Sequence, residues 1–249
     1  MIINKTWNGF WGEFLIVTFH KDNPDKWRHI EKKAKWVTDH GTLNKQLMVL
    51  DLGCGSGMLD IALAKQGIHL TAVDRIIPVL DIARKEAGNL PVEFIHADIK
   101  QITFPDSNFN CIIILETIGL MNKEDDIKLL ENTYKWLNKY GIVILDCPEP
   151  ALAGPNYWEK EFNEGLLKFE TTFDPEASIQ TITPALINGE DTIQLYDPYS
   201  IDKGDHTGVK RYLYCREELA GIMKKIGFEV SVIPHYWGGK YYALKGLKH

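Results

Sequence analysis

The chain has 249 residues, 45% of them hydrophobic and 25% charged, with a net charge of −6; this is an ordinary folded composition and excludes disorder, collagen or coiled coil as the main state. No apolar run nears the roughly 20 residues that span a bilayer, and no basic stripe offers phosphate neutralisation, so neither membrane nor nucleic acid is an expected partner. Four cysteines (Cys54, Cys111, Cys147, Cys215) without a Cys-x-x-Cys pair, and an N-terminus without a signal-like h-region, predict a reduced, cytoplasmic setting with no disulfide framework or zinc ribbon.

Residues 1–45 read as helical, because Trp7, Phe10, Trp11 and Phe14, then Trp27, Ile30, Ala34 and Val37, recur at helical spacing. Residues 46–150 alternate strands with helices. The strands are Met48–Leu52, His69–Asp74, Val92–His96, Phe109–Leu115 and Gly141–Asp146. The intervening helical patterns end at Gly67, at Gly88 and near Gly141, since a glycine enters the left-handed conformation cheaply and stops a helix. This alternation predicts an α/β fold, a doubly wound parallel sheet with right-handed crossovers. Residues 151–210 change character, with four Lys/Arg against eleven Asp/Glu and prolines at 155, 175, 184 and 198. Lys168–Phe173, Ile179–Thr183 and Thr192–Tyr196 alternate as short antiparallel strands do. The α/β pattern then resumes with a helix over Arg216–Ile226, stopped by Gly227, and strands over Phe228–Ile233 and Tyr241–Leu247. The acidic stretch therefore reads as an insertion.

The most informative segment is Val49-Leu50-Asp51-Leu52-Gly53-Cys54-Gly55-Ser56-Gly57, a buried strand running into a glycine-rich turn and then a helix. Glycines let backbone approach a ligand with no Cβ in the way. The dinucleotide fingerprint fails, because Met58 (counting from Gly53) or Asp60 (counting from Gly55) stands where the third glycine belongs. The P-loop fails too, with no Gly-Lys-Ser/Thr following. Asp74 closes the second strand, where a carboxylate can accept both hydroxyls of a ribose. Asp98 follows the third strand, where it can accept from an adenine amino group. Three strand ends thus predict a nucleoside site at the carboxyl edge of the sheet.

These motifs resemble the class I S-adenosylmethionine-dependent methyltransferases. The resemblance covers about residues 46–150 and 210–249, including Arg216-Glu217-Glu218-Leu219 and Ile226-Gly227-Phe228-Glu229-Val230. It implies a seven-stranded, mostly parallel Rossmann-like sheet whose last strand is antiparallel, carrying an antiparallel β insertion. It implies S-adenosylmethionine as cofactor, with Asp51, Gly53, Cys54, Gly55 and Gly57 under its methionine and ribose parts. Asp74, beside Arg75, would take the ribose hydroxyls, Asp98, beside Ile99, the adenine amino group, and Leu115 and Glu116 would lie by the methyl group. A single domain is expected, with a helical lid over residues 1–45, a cofactor-binding core over 46–150, a substrate flap over 151–210 and a closing helix and strand pair over 211–249.

The expected activity is methyl transfer to a nitrogen or oxygen of a small molecule. Phe169-Glu170-Thr171-Thr172-Phe173-Asp174 loosely resembles the flap of sugar-amine N-methyltransferases. A tRNA or protein methyltransferase and a non-catalytic S-adenosylmethionine-binding protein stay open as alternatives. Glu116-Thr117-Ile118-Gly119 stands where amino-methylating nucleic acid enzymes of this class carry Asn/Asp-Pro-Pro-Tyr/Phe. No metal is expected. In-line displacement at a sulfonium needs placement more than a base, so no catalytic residue is singled out from His20, His206, His235, Tyr157 and Glu116. The acidic insertion predicts a neutral or cationic acceptor, an amine before a phosphate ester.

Overall fold

The computed structural model describes residues 1–6, 9–10, 24–162, 165–195, 197 and 207–249. The chain runs β1 (Ile2–Lys5), α1 (Pro24–Gly41), β2 (Met48–Leu52), α2 (Met58–Ala64), β3 (His69–Asp74), α3 (Ile77–Ala87), β4 (Val92–His96), β5 (Phe109–Ile114), α4 (Lys123–Trp136) and β6 (Leu137–Pro148). There follow β7 (Asn156–Phe162), β8 (Gly165–Asp174), β9 (Ile179–Asn188), β10 (Asp191–Leu195), β11 (Val209–Tyr212), α5 (Arg216–Ile226), β12 (Glu229–Ile233) and β13 (Tyr241–Leu247).

Seven strands form the main sheet in the order β12-β13-β6-β5-β2-β3-β4. Strands β4, β3, β2, β5 and β6 pair in parallel, while β13 is antiparallel to both β6 and β12. Successive residues of a strand point to opposite faces, so strands covered on both sides are apolar throughout. Ile112, Ile114, Leu50, Leu52, Val143 and Leu145 pack on one face against Leu129, Leu130 and Trp136 of α4 and Leu219 and Met223 of α5. Val49, Cys111, Ile113 and Ile144 pack on the other against Ala34 and Val37 of α1 and Leu59 and Leu63 of α2. Each fully buried aliphatic side chain contributes about 1.5–3 kcal/mol. Strand order reverses between β2 and β5, which makes the carboxyl ends of those two strands the crevice where open α/β sheets bind ligands.

The second sheet runs β1-β10-β9-β8-β7, with β11 also paired to β9. It is antiparallel except for β1, which lies parallel to β10 with Ile2 opposite Thr192. Four differences from the sequence reading stand out. Residues 2–5 are a strand and not part of a helix: Ile2 and Ile3 are β-branched, and the outer edge of β10 offers them a ladder. Asn156–Phe162 is a strand that the charges Glu159, Lys160 and Glu161 concealed, because on an outer edge it needs no apolar alternation. Strand β6 begins immediately after α4, so Gly141 lies inside a strand instead of stopping the helix. Strand β11 straddles residues 210 and 211, where a boundary was expected. Pro184 falls inside β9, between the part that pairs with β11 and the part that pairs with β10, where a missing N–H costs the ladder least.

Asp126, in the first turn of α4, ties the two halves of the main sheet's carboxyl edge. It is buried and accepts from the Tyr214 hydroxyl at 3.0 Å and the Gly119 N–H at 3.1 Å. Burial outweighs both donors and pushes its carboxyl up to about 7. A carboxyl raised on folding contributes stability below its unfolded value near 4, and that contribution is lost as pH climbs through 7. Replacement of this group by a neutral isostere removes the loss. Urea melts of Asp126→Asn and wild type at pH 4 and pH 8 are expected to show their stability difference moving by about 2–4 kcal/mol in favour of the variant as pH rises.

Candidate functional site

Strand β2 ends at Leu52 and the chain turns sharply through three glycines with positive φ: 85° at Gly53, 55° at Gly55 and 67° at Gly57. The Gly53 and Cys54 N–H groups both donate to the Val73 carbonyl, at 2.8 and 3.0 Å, which hooks the turn over β3. The glycines answer different needs. A Cβ at Gly53 would lie 2.4 Å from Thr117 Oγ1, and one at Gly57 would lie 2.6 Å from the Phe94 ring and 2.8 Å from the Ala83 Cβ. Both are packing requirements inside the protein. A Cβ at Gly55 meets nothing within 4 Å, so Gly55 is the glycine whose bare backbone faces open space.

The Gly55 N–H donates to Asp74 Oδ2 at 2.8 Å, and the Ile76 N–H donates to Asp74 Oδ1 at 2.9 Å. Asp74 thus braces the turn from the end of β3. Burial raises its carboxyl above the ordinary range in spite of these two donors. Each oxygen retains a lone pair for a further donor. Arg75 and Ile99 are half-buried. Asp98 lies beyond β4, where its Oδ1 accepts from the Lys100 N–H at 2.9 Å. Cys54 is half-buried, and burial followed by the Asp60 and Asp74 charges holds its thiol well above the usual value, so it is a neutral thiol.

Beneath the turn, Asp51 faces Asp60 of α2, which has no exposed surface. Burial, then the charge of its partner, pushes the Asp60 carboxyl far up. Neither Asp60 oxygen accepts a hydrogen bond. Burial raises both carboxyls, and the charge of Asp51 raises Asp60 further, so the pair resists carrying two negative charges under the glycine loop.

At the end of β5, Leu115 is buried and Glu116 adopts φ 58°, a left-handed backbone that non-glycine residues rarely take. Two groups hold it there: the Glu116 N–H donates to Asp146 Oδ1 at 2.6 Å, and Arg211 Nη2 donates to the Glu116 carbonyl at 2.7 Å. Lys33 of α1 donates to Glu116 Oε1 at 3.1 Å, and the Tyr236 hydroxyl reaches the same oxygen at 3.3 Å. Burial works against charge on both Lys33 and Glu116, but their mutual attraction reverses it, raising the ammonium and lowering the carboxyl.

The candidate bases separate. His235 donates through Nε2 to Asp146 Oδ2 at 3.0 Å and accepts the Trp237 N–H at Nδ1, 3.1 Å away, with its side chain 1% exposed. Both ring nitrogens are engaged by the protein's own groups. Glu116 is a weak base, its carboxyl held low by Lys33. Tyr157 sits exposed on the outer strand of the second sheet, donating to Glu159. His20 and His206 lie outside the described residues, as do Trp7 and Trp11 of the expected lid, whereas Phe10 is buried among Leu167, Leu186, Leu195 and Val209 of the second sheet. Lys33, Asp60, Arg211 and Tyr236 were missed by sequence reasoning. Only Asp60 carried a local signal, an acid within the apolar run Met58-Leu59-Asp60-Ile61-Ala62.

The two unlike glycines give a direct check. Gly57→Ala combines a left-handed penalty with a clash against Phe94 and is expected to lower stability by about 2–4 kcal/mol in urea melts. Gly55→Ala meets no neighbour and is expected to cost about 1–2 kcal/mol, the backbone term alone.

Comparison with known proteins bears on this arrangement. Residues 49–141 match the family model of a methyltransferase domain. The cypemycin N-terminal methyltransferase of a Streptomyces species is 36% identical over 118 residues, 47% of each chain; the chain spans about half the length of the curated relatives it matches. In structure the protein resembles the CcbJ methyltransferase of Streptomyces caelestis, with a TM-score of 0.72 at 15% identity over 96% of this chain and 98% of that one. It also resembles CalS10, an amino pentose methyltransferase of Micromonospora echinaspora whose structure holds S-adenosylmethionine, with a TM-score of 0.67 at 12% identity over 94% and 95% of the two chains. The strand order, the turn at Gly53–Gly57 and the matched segment agree: residues 49–141 match a methyltransferase domain, and the main sheet has the Rossmann-like fold of these methyltransferase structures.

Proposed function

We propose that the protein transfers the methyl group of S-adenosylmethionine to a nitrogen or oxygen of a small molecule. The observation that carries this reading is Gly55: a backbone N–H tied to Asp74, with nothing within 4 Å of where a side chain would stand. That opening at the carboxyl ends of β2 and β3 suits a nucleoside lying across the glycine turn. In this reading Asp51, Gly53, Cys54, Gly55 and Gly57 underlie the methionine and ribose parts. Asp74, flanked by Arg75, accepts from the ribose hydroxyls, Asp98 accepts from the adenine amino group, and Ile99 packs on the base. Leu115 and Glu116 border the methyl group.

When bound, S-adenosylmethionine supplies an electrophilic methyl on a sulfonium that departs as a neutral thioether. The chain's part is placement: its side chains hold the acceptor in line at about 3–3.5 Å and exclude water. The second sheet acts as a flap on the acceptor side. The link that supports this is the contact of β11 with the loop after β5, where the Tyr212 N–H donates to the Gly119 carbonyl at 2.8 Å.

Calorimetry with S-adenosylmethionine and S-adenosylhomocysteine tests the reading, and absence of binding for both at millimolar concentration overturns it. Asp74→Ala is expected to weaken binding of either by about 1.5–3 kcal/mol, since it removes charged hydrogen bonds to the ribose and the brace on Gly55.

A further inference from the structure

We propose that the carboxylate of Glu116 recognises a cationic amine on the methyl acceptor and is the specificity-determining group of the site. The inference rests on the methyl-transfer reading and names the class of its acceptor. Glu116 is held at four points: its N–H by Asp146, its carbonyl by Arg211, and its Oε1 by both Lys33 and Tyr236. The left-handed backbone is a strain that this surrounding structure sustains. All four contacts leave one atom over. Oε2 has no hydrogen-bond partner among the described residues, and the side chain is 39% exposed at the carboxyl edge of the sheet. A preorganised acceptor atom with an open face is what a ligand donor requires.

The open atom belongs to a carboxylate that Lys33 holds in its charged form. Partly buried charges seek partners. An ammonium makes a charge-assisted bond to a carboxylate, roughly twice as strong as the bond a neutral hydroxyl makes. The Tyr236 ring lies 5.3 Å from Trp237 and 6.2 Å from His29, and Trp237 is exposed. Held as an ammonium, the recognised nitrogen has no lone pair, so it anchors the acceptor and the methylated nitrogen or oxygen is a second group of the same molecule.

The test is calorimetry on protein saturated with S-adenosylhomocysteine, using glucosamine and benzylamine against glucose and benzyl alcohol. At least one amine is expected to bind at least about tenfold more tightly than its alcohol. That preference is expected to vanish in Glu116→Gln, which keeps the shape and removes the charge, with a circular-dichroism melt and an S-adenosylhomocysteine titration run in parallel to report folding and saturation. The inference is overturned if no amine is preferred, if the preference survives in the variant, or if S-adenosylhomocysteine binding falls in step with it, which would assign Glu116 to the cofactor. Failure of the wild type to bind S-adenosylhomocysteine removes the methyl-transfer reading, and this inference with it.

Discussion

A carboxylate taken fully out of water must be met by donors, and Asp146 is the one on which the site depends. It has no exposed surface, and it sits on β6 between β5 and β13. One oxygen takes the Glu116 N–H and the other the His235 ring, so a single side chain joins the end of β5 to the turn between β12 and β13. Through that turn the arrangement reaches α1, because Trp36 donates from its indole to the Pro234 carbonyl at 2.6 Å and Tyr236 shares Glu116 with Lys33. Residues from four distant parts of the chain are thereby fixed around one strand end.

The glycine loop follows a complementary logic. Where Asp146 draws backbone in, the turn at Gly53–Gly57 is pressed from below by Thr117 and Phe94 and left open above Gly55. The Thr117 hydroxyl donates to the Leu115 carbonyl at 2.9 Å and reaches the Leu52 carbonyl at 3.3 Å, which sets the spacing between the ends of β2 and β5. Preorganisation of this kind spends little on binding, because the loop is ordered by the protein's own contacts before a ligand arrives.

How much of this was legible in the sequence follows from the range of the signals. Strands β2, β3, β4 and β13 and helix α5 have the ends expected from pattern alone, because their apolar runs and stop glycines are local. The glycine turn after β2, Asp74 at the end of β3 and Asp98 just beyond β4 stand where pattern alone put them, for the same reason. Strand β7 was not, since an exposed edge needs no alternation, and β1 was not, since its partner lies 190 residues away in β10. The cluster around Glu116 was the least legible part. Lys33, Asp146, Arg211 and Tyr236 come from α1, β6, β11 and the turn after β12, and no spacing connects them. His235 shows the same limit from the other side: its residue type suited proton transfer, and only its two neighbours reveal that neither nitrogen is free.

Strand β1 has a consequence for the second sheet as a whole. An unpaired strand edge is a template on which another chain can add itself, and sheets blunt such edges with short, charged or covered strands. Strand β10 would present its whole outer ladder to solvent were Ile2–Lys5 not laid along it, anchored where the Met1 amino group donates to the Glu190 carbonyl at 2.6 Å and pairs with Asp191 at 3.5 Å. The four-residue cover ends in Lys5, and the opposite edge, β7, carries Glu159, Lys160 and Glu161. The outer edges at β7 and β10 are therefore guarded against self-association, one by charge and the other by residues 2–5, so trimming those residues would turn a protected margin into a sticky one.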